Sequence, residues 1–418
     1  MFVFSQMTVH LAVLVGVFVA VKGVYSLDSY FVSTHKTLMQ TRFDPISYHG
    51  KVSGHVHNII GPSKFNPEMT YEDARSSRCA TGEITDDMSA YWTPAIYHMT
   101  PDDKFISLDT AGTSIYWFGI TGENETLTDM PKGLRFTAGN STRDRSDPVY
   151  KEHIAFVCEG RNGTFETIPQ GCDKPRSIVE FPSCWDCKTI STANGQTTHV
   201  QYPVDGQCPK DFGCRIPLLK IETSYIKPAD VASGAGNYVL ATGDSTGYSM
   251  HGDFFNGFSV GGEGKPSLLN QALVTCPDMK GEARNCNVFT FQSMSACVPE
   301  LGLVNEPVGD KGAIDKLPGN NPVWCAEDGK ATNASYVESA TMISASPPIP
   351  EGWSMTGCLA RDGNTPEIYA FPEMGFREIG IKQDMSPHRC LSTCGNFTYA
   401  GIECRMPSTR LKSSLTLP

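Results

Sequence analysis

The chain predicts a mostly β fold: an antiparallel sandwich or jelly-roll-like main domain with long loops, then a small disulfide-rich module. Three observations carry this. Short runs rich in β-branched and aromatic residues recur along the chain, mostly bounded by Gly, Asp or Asn. Few windows hold the apolar spacing of a long amphipathic helix. The 39 glycines and 28 prolines supply the turns that many short strands need.

Taken in order, residues 1–26 read as a secretory signal, because the apolar run Leu11–Val21 matches a signal core and is too short to span a bilayer. Pro67–Arg75 reads as a short helix, Phe105–Asp109 and Thr113–Ile120 as strands, and Tyr238–Thr242 as a third. Leu268–Val274 reads as a second helix and Val288–Gln292 as a fourth strand. The main domain then covers residues 27–300. A Pro/Gly-rich extension and linker occupies 301–350, with Trp324 and Cys325 arguing that its middle is tied down. Residues 351–404 form a small Cys-bearing module and 405–418 a tail.

All 15 cysteines follow residue 26, which suits an oxidising compartment. Sequons for N-glycosylation stand at Asn124, Asn140, Asn162, Asn333 and Asn396. With the signal they predict a secreted product, extracellular or cell-wall associated. A net charge of −11 with no Lys/Arg cluster argues against nucleic acid as a partner, and no later segment is apolar enough for a stable membrane span.

The polar residues gather in a few places. In Gly54-His55-Val56-His57 two imidazoles share one face of an extended segment, because side chains alternate along a strand. Such a pair serves a divalent metal, a substrate or the interior equally well. His251 and Asp253 repeat the alternation about 200 residues later, in a Gly-, Asp- and Ser-rich loop, and a carboxylate beside an imidazole orients it or completes a metal shell. His199, Arg42 and Asp44 are further candidates for the same cleft. Trp92 and Trp185 offer aromatic faces for sugar stacking or for the core. Cys184-x-x-Cys187 has no second pair at zinc spacing nearby, so disulfides are favoured. Cys276 and Cys286 are spaced to close a small loop together. No P-loop or dinucleotide fingerprint occurs.

Seven blocks resemble, in order, a family of secreted fungal proteins, the domain of unknown function 1996. They are Arg42-x-Asp44-Pro45, Lys51–His57, Tyr91–Pro94, Pro131–Phe136, Phe181–Asp186, Arg215–Pro217, and Gly243–Tyr248 followed by His251–Gly257. The resemblance covers about residues 30–300 and implies a fungal extracellular protein without supplying a reaction. Cys187 replaces the Gly of the family pattern, which makes it the candidate for the odd thiol. Residues from Gly352 through Cys404 resemble a truncated WSC domain, a module associated with fungal walls and carbohydrate binding, here with four cysteines.

Three functions follow as expectations. The first is a hydrolase or lyase using histidine general acid/base chemistry on cell-wall or plant polysaccharide, with His55, His57, His199, His251 and Asp253 in one cleft and Asp44 and Arg42 beside them. The second is a non-catalytic wall-associated or glycan-binding protein, and the third an extracellular metal-binding protein using His55 and His57.

Overall fold

The structure is a computed structural model that describes residues 29–143, 152–192, 197–261, 265–276, 279–293 and 297–325. Contacts divide the chain into Met1–Glu300 with Val304–Met342, and Leu301–Leu303 with Ile343–Pro418. The fold below belongs to the first unit. The signal, the WSC-like module, the tail, Asn333 and Asn396 lie outside the described residues.

Two antiparallel sheets form a sandwich, as the composition predicts. The first has six strands in the order β17 (Gly281–Glu282), β1 (Tyr30–His35), β7 (Asp109–Phe118), β14 (Leu218–Ile226), β10 (Pro175–Glu180) and β9 (Ile154–Cys158), and only β17 runs parallel to its neighbour. The second has five, β2 (Met39–Thr41), β3 (His57–Ile60), β4 (Ala90–Pro94), β16 (His251–Phe255) and β8 (Arg135–Gly139). Two three-stranded sheets complete the described set. One is β12 (Val200–Gln201), β11 (Cys184–Trp185) and β13 (Cys214–Arg215); the other is β15 (Tyr238–Leu240), β5 (Ile96–Met99) and β6 (Phe105–Ser107).

Alternation decides which residues fill the sandwich. Ile115 and Trp117 of β7 and Ile221 of β14 meet Tyr91, Phe136 and Phe254 of the second sheet in the main core. Trp117 and Phe136 both stand edge-on to Phe254, at centroid distances of 5.5 Å and 5.4 Å. The opposite face of the five-stranded sheet is also covered. There Ile59, Trp92 and Phe255 pack with Phe43, Phe65, Met69 and Val304 in a second core. This sheet therefore lies between two apolar layers, and its central strands β3, β4 and β16 are buried along their whole length.

The helices are short. Helix α1 (Tyr71–Arg75) starts at a Thr70 capping box in which Asp73 answers the cap's backbone N–H, and α2 (Leu268–Thr275) is capped by Ser267. Val288–Gln292 departs from expectation. It carries a single bridge, Ile84 to Phe291, and is otherwise irregular, because Phe289 buries itself against Phe31 without a strand partner.

Five disulfides are formed among the described residues: Cys79–Cys297, Cys158–Cys172, Cys184–Cys208, Cys187–Cys214 and Cys276–Cys286. The expected small loop is thus closed by Cys276 and Cys286. Cys187 is not the odd thiol: it adopts a positive φ of 65° and reaches Cys214 across β11 and β13. Among the described residues the unpaired cysteine is Cys325. Asn124, Asn140 and Asn162 are all exposed. No helix among the described residues is long and apolar enough to cross a membrane.

Candidate metal centre

Register in the five-stranded sheet builds the site. Ile59 pairs with Trp92, Trp92 with Asp253, and Asp253 with Thr137, so these four share one face. Two residues along, His57 and His251 fall on that face too. His55 precedes β3 at a bend, and its ring lies 4.3 Å from that of His57 and 5.0 Å from that of His251, centroid to centroid. One ligand atom from each of the three imidazoles lies within 4.8 Å of the others. The His55/His57 pair and the single His251, far apart in sequence, thus meet across the intervening β4, together with Asp253, whose Oδ2 is 3.9 Å from His251 Nε2.

The hydrogen bonds show which donor atoms are already engaged. His251 Nδ1 donates to the Ser249 carbonyl at 2.8 Å, which leaves its Nε2 with the lone pair. That Nε2 faces His55 Nε2 at 3.2 Å. Both ring nitrogens of His57 and Oδ2 of Asp253 are buried with no hydrogen-bond partner. Buried polar atoms are rarely left so, because each costs roughly 1–3 kcal/mol. A tetrahedral ion with nitrogens about 2.05 Å away would hold them about 3.3 Å apart, close to the separation of the facing nitrogens.

Electrostatics agree. Burial holds His55 well below the ordinary imidazole range, and positive charge on His57, His251 or Arg42 would push it lower. His57 is lowered by burial and by His251, and the Phe43 backbone faces it without closing a hydrogen bond. His251 is lowered to about 4 by burial, against the opposing Ser249 carbonyl. Three neutral imidazoles are three available lone pairs. Burial raises Asp253, the Asp44 charge raises it further, and Thr137 Oγ1 donating to its Oδ1 pulls the other way. These donors, nitrogen-rich with one carboxylate, fit a divalent transition metal such as zinc or copper.

The other candidates divide. Asp44 lies close enough to Asp253 for their charges to interact, but its Oδ1 already accepts the N–H groups of Ile46 and Ser47 at 2.9 Å. Arg42 is buried and pairs with Glu306. His199 does not join the centre. Its Nε2 binds the Arg135 carbonyl at 3.0 Å on the outer edge of β8, while β16 occupies the inner edge. Trp92 and Trp185 are not stacking platforms, being only 1% and 7% exposed. Trp92 is wedged edge-on against Phe65, and Trp185 donates its Nε1–H to the Thr189 carbonyl within the main core. Thr137, Ser249, Ser53 and Asn321 contribute to the site without any signal in the sequence, since hydroxyl and amide residues are common in every loop.

The model for the domain of unknown function DUF1996 matches residues 44–258, half of the chain. The chain belongs to this family. The matched span of this DUF1996 protein contains His55, His57, His251 and Asp253. No curated protein and no solved structure matches the chain.

Proposed function

We propose that this chain is an exported metalloprotein whose His55, His57 and His251 bind one divalent transition-metal ion, and which acts on or binds cell-wall or plant polysaccharide. The observation that carries the reading is the convergence of three neutral imidazoles, one with neither nitrogen partnered. A bound ion would supply Lewis acidity and an activated water. Ser249 fixes the tautomer of His251, and Asp253, held by Thr137, stands beside the ligands as a fourth donor or a proton acceptor. The five disulfides support export. The resemblance to secreted fungal proteins, with a WSC-like tail, supports a wall glycan as the partner.

Burial favours a second reading beside the catalytic one. His55 and His251 are 6% and 4% exposed, and His57 is fully enclosed. Closed shells suit storage or structural ions, whereas catalytic ions keep an open position. Elemental analysis and calorimetric titration with zinc and copper should find one equivalent in the full chain and none in His57→Ala, while the metal-free melting temperature stays within a few degrees. A wild-type protein that takes up no metal sinks the proposal. Product release from β-glucan, xylan or chitin by the loaded protein would mark it as an enzyme; retention on them without product would mark it as a binder.

A further inference from the structure

His57 and His251 stand in strands whose ladders fix their backbones, but His55 does not. Its segment Ser53–His55 is held by side chains instead, one for each carbonyl. Arg42 Nη1 donates to the Ser53 carbonyl at 2.9 Å, Asn321 Nδ2 to the Gly54 carbonyl at 2.8 Å, and Ser53 Oγ to the His55 carbonyl at 2.6 Å. Ser53 N–H returns a bond to the Arg42 carbonyl at 2.9 Å.

The far side of Arg42 is engaged as well. Its Nε and Nη2 form a bidentate pair with Glu306, at 2.5 Å and 3.1 Å. Glu306 and Asn321 both belong to the Pro/Gly-rich stretch that follows the main domain, beyond the family-matched residues 44–258. That stretch lies against the His55 segment so closely that a Cβ on Gly319, at φ +79°, would sit 2.4 Å from the Gly54 carbonyl. Its far end reaches the loop that leads to His251. Trp324 Nε1 donates to the Thr242 carbonyl at 3.0 Å, and Trp324 N–H to the Gly243 carbonyl at 2.8 Å. A Cβ on Gly243 would collide with the Pro322 carbonyl at 1.9 Å.

We propose that Arg42 and Asn321 are positioning residues for the ligand His55, and that the strap Val304–Trp324 completes a metal centre which the family domain alone leaves with one ligand loose. This rests on the metal reading above. Groups that orient ligands change metal affinity by about 10- to 100-fold when removed, which sets the scale of the test.

The experiment compares full-length wild type with Asn321→Ala, Asn321→Asp, Glu306→Gln and the exposed strap control Val323→Ala. Each metal-free protein is melted, then titrated with zinc by calorimetry, and the copper-loaded forms are compared by electron paramagnetic resonance. The expected result is zinc affinity about 10-fold or more weaker in both Asn321 variants and in Glu306→Gln, with an altered copper spectrum and little change in metal-free melting. Val323→Ala should match wild type. Wild-type zinc affinity and spectrum in the Asn321 and Glu306 variants would overturn this inference alone. So would lower melting temperatures with unchanged affinity, since that is a purely structural role. Failure of wild type to bind zinc or copper would instead overturn the metal reading beneath it.

Discussion

His35 and Asp87 show how buried polar residues behave away from the metal centre. His35 Nε2 lies 3.7 Å from Asp87 Oδ2, and both side chains are fully enclosed. Burial lowers His35 to about 3 and raises Asp87 to about 7, despite the Tyr91 hydroxyl and Ser89 N–H that Asp87 accepts. The contact is therefore between neutral groups over the mildly acidic range, and not an ion pair. The two oppose each other in the dependence of stability on pH. An unfolded histidine takes its proton near 6.5, so above that value the share of His35 is fully present, and it is lost as pH falls toward 3. His251, lowered to about 4, acts in the same direction. Asp87 acts in reverse: folded, it holds a proton up to about 7, so its share is full below about 4 and is lost as pH rises. Asp87→Asn removes the opposing share alone. The metal-free variant should therefore gain stability between pH 4 and 6.5 more steeply than wild type, by on the order of 3 kcal/mol across the window. Urea melts at several pH values measure this, and an equal or shallower slope would refute the assignment. At the residue scale, alternation made the sharing of a face by His251 and Asp253 legible in the sequence, whereas His55 meets the His57 ring from a bend ahead of the strand and not by alternation. Composition favoured a buried strand end over sugar stacking for Trp92, and both Trp92 and Trp185 are interior.

Strand β16 is the element on which site and core meet. His251, Asp253 and Phe255 face one way, while Phe254 faces the six-stranded sheet. Gly252 shares the Phe254 side and lies so near β10 that a Cβ would stand 2.9 Å from Phe181 Cζ and 3.1 Å from Val179 Cγ1. Its backbone is ordinary strand, so the constraint is space and not conformation. Gly252→Ala should cost roughly 1–3 kcal/mol through overpacking. Phe181 and Val179 are held in the core, so we expect part of the relief to come from β16 moving away from β10, which carries His251 and Asp253 with it. We therefore expect lower thermal stability together with weaker zinc binding, read from melts and calorimetry on one preparation. Loss of stability at wild-type affinity would show that the site tolerates strand displacement. The strands of β7 and β15 were legible as short β-branched, aromatic runs. β16 was not, since Gly252 and its two polar residues suggest a loop until the covering layers on both faces are known.

Pairing across the whole molecule is where local patterning is silent. His57 reaches His251 only because β4 lies between β3 and β16, an order that joins segments nearly 200 residues apart. A sandwich could be inferred from turns and alternation; which strands neighbour each other depends on contacts that no window contains. Cross-links obey the same rule. The Cys276–Cys286 pair, separated by 10 residues, was readable from spacing, whereas Cys79–Cys297, separated by 218, was not. The long link should matter more. By loop-closure entropy it restricts the unfolded chain by about 5 kcal/mol against about 3 for the short one. Native contacts reinforce it: near Cys297, Glu300 forms an ion pair with Arg78 and accepts the Ser63 hydroxyl, fastening this segment to the one around Cys79. Cys79→Ser/Cys297→Ser should then lower the melting temperature by nearly double the drop seen in Cys276→Ser/Cys286→Ser. An equal or smaller drop would mean that Glu300 and the packing around it already close the 218-residue loop in the unfolded ensemble.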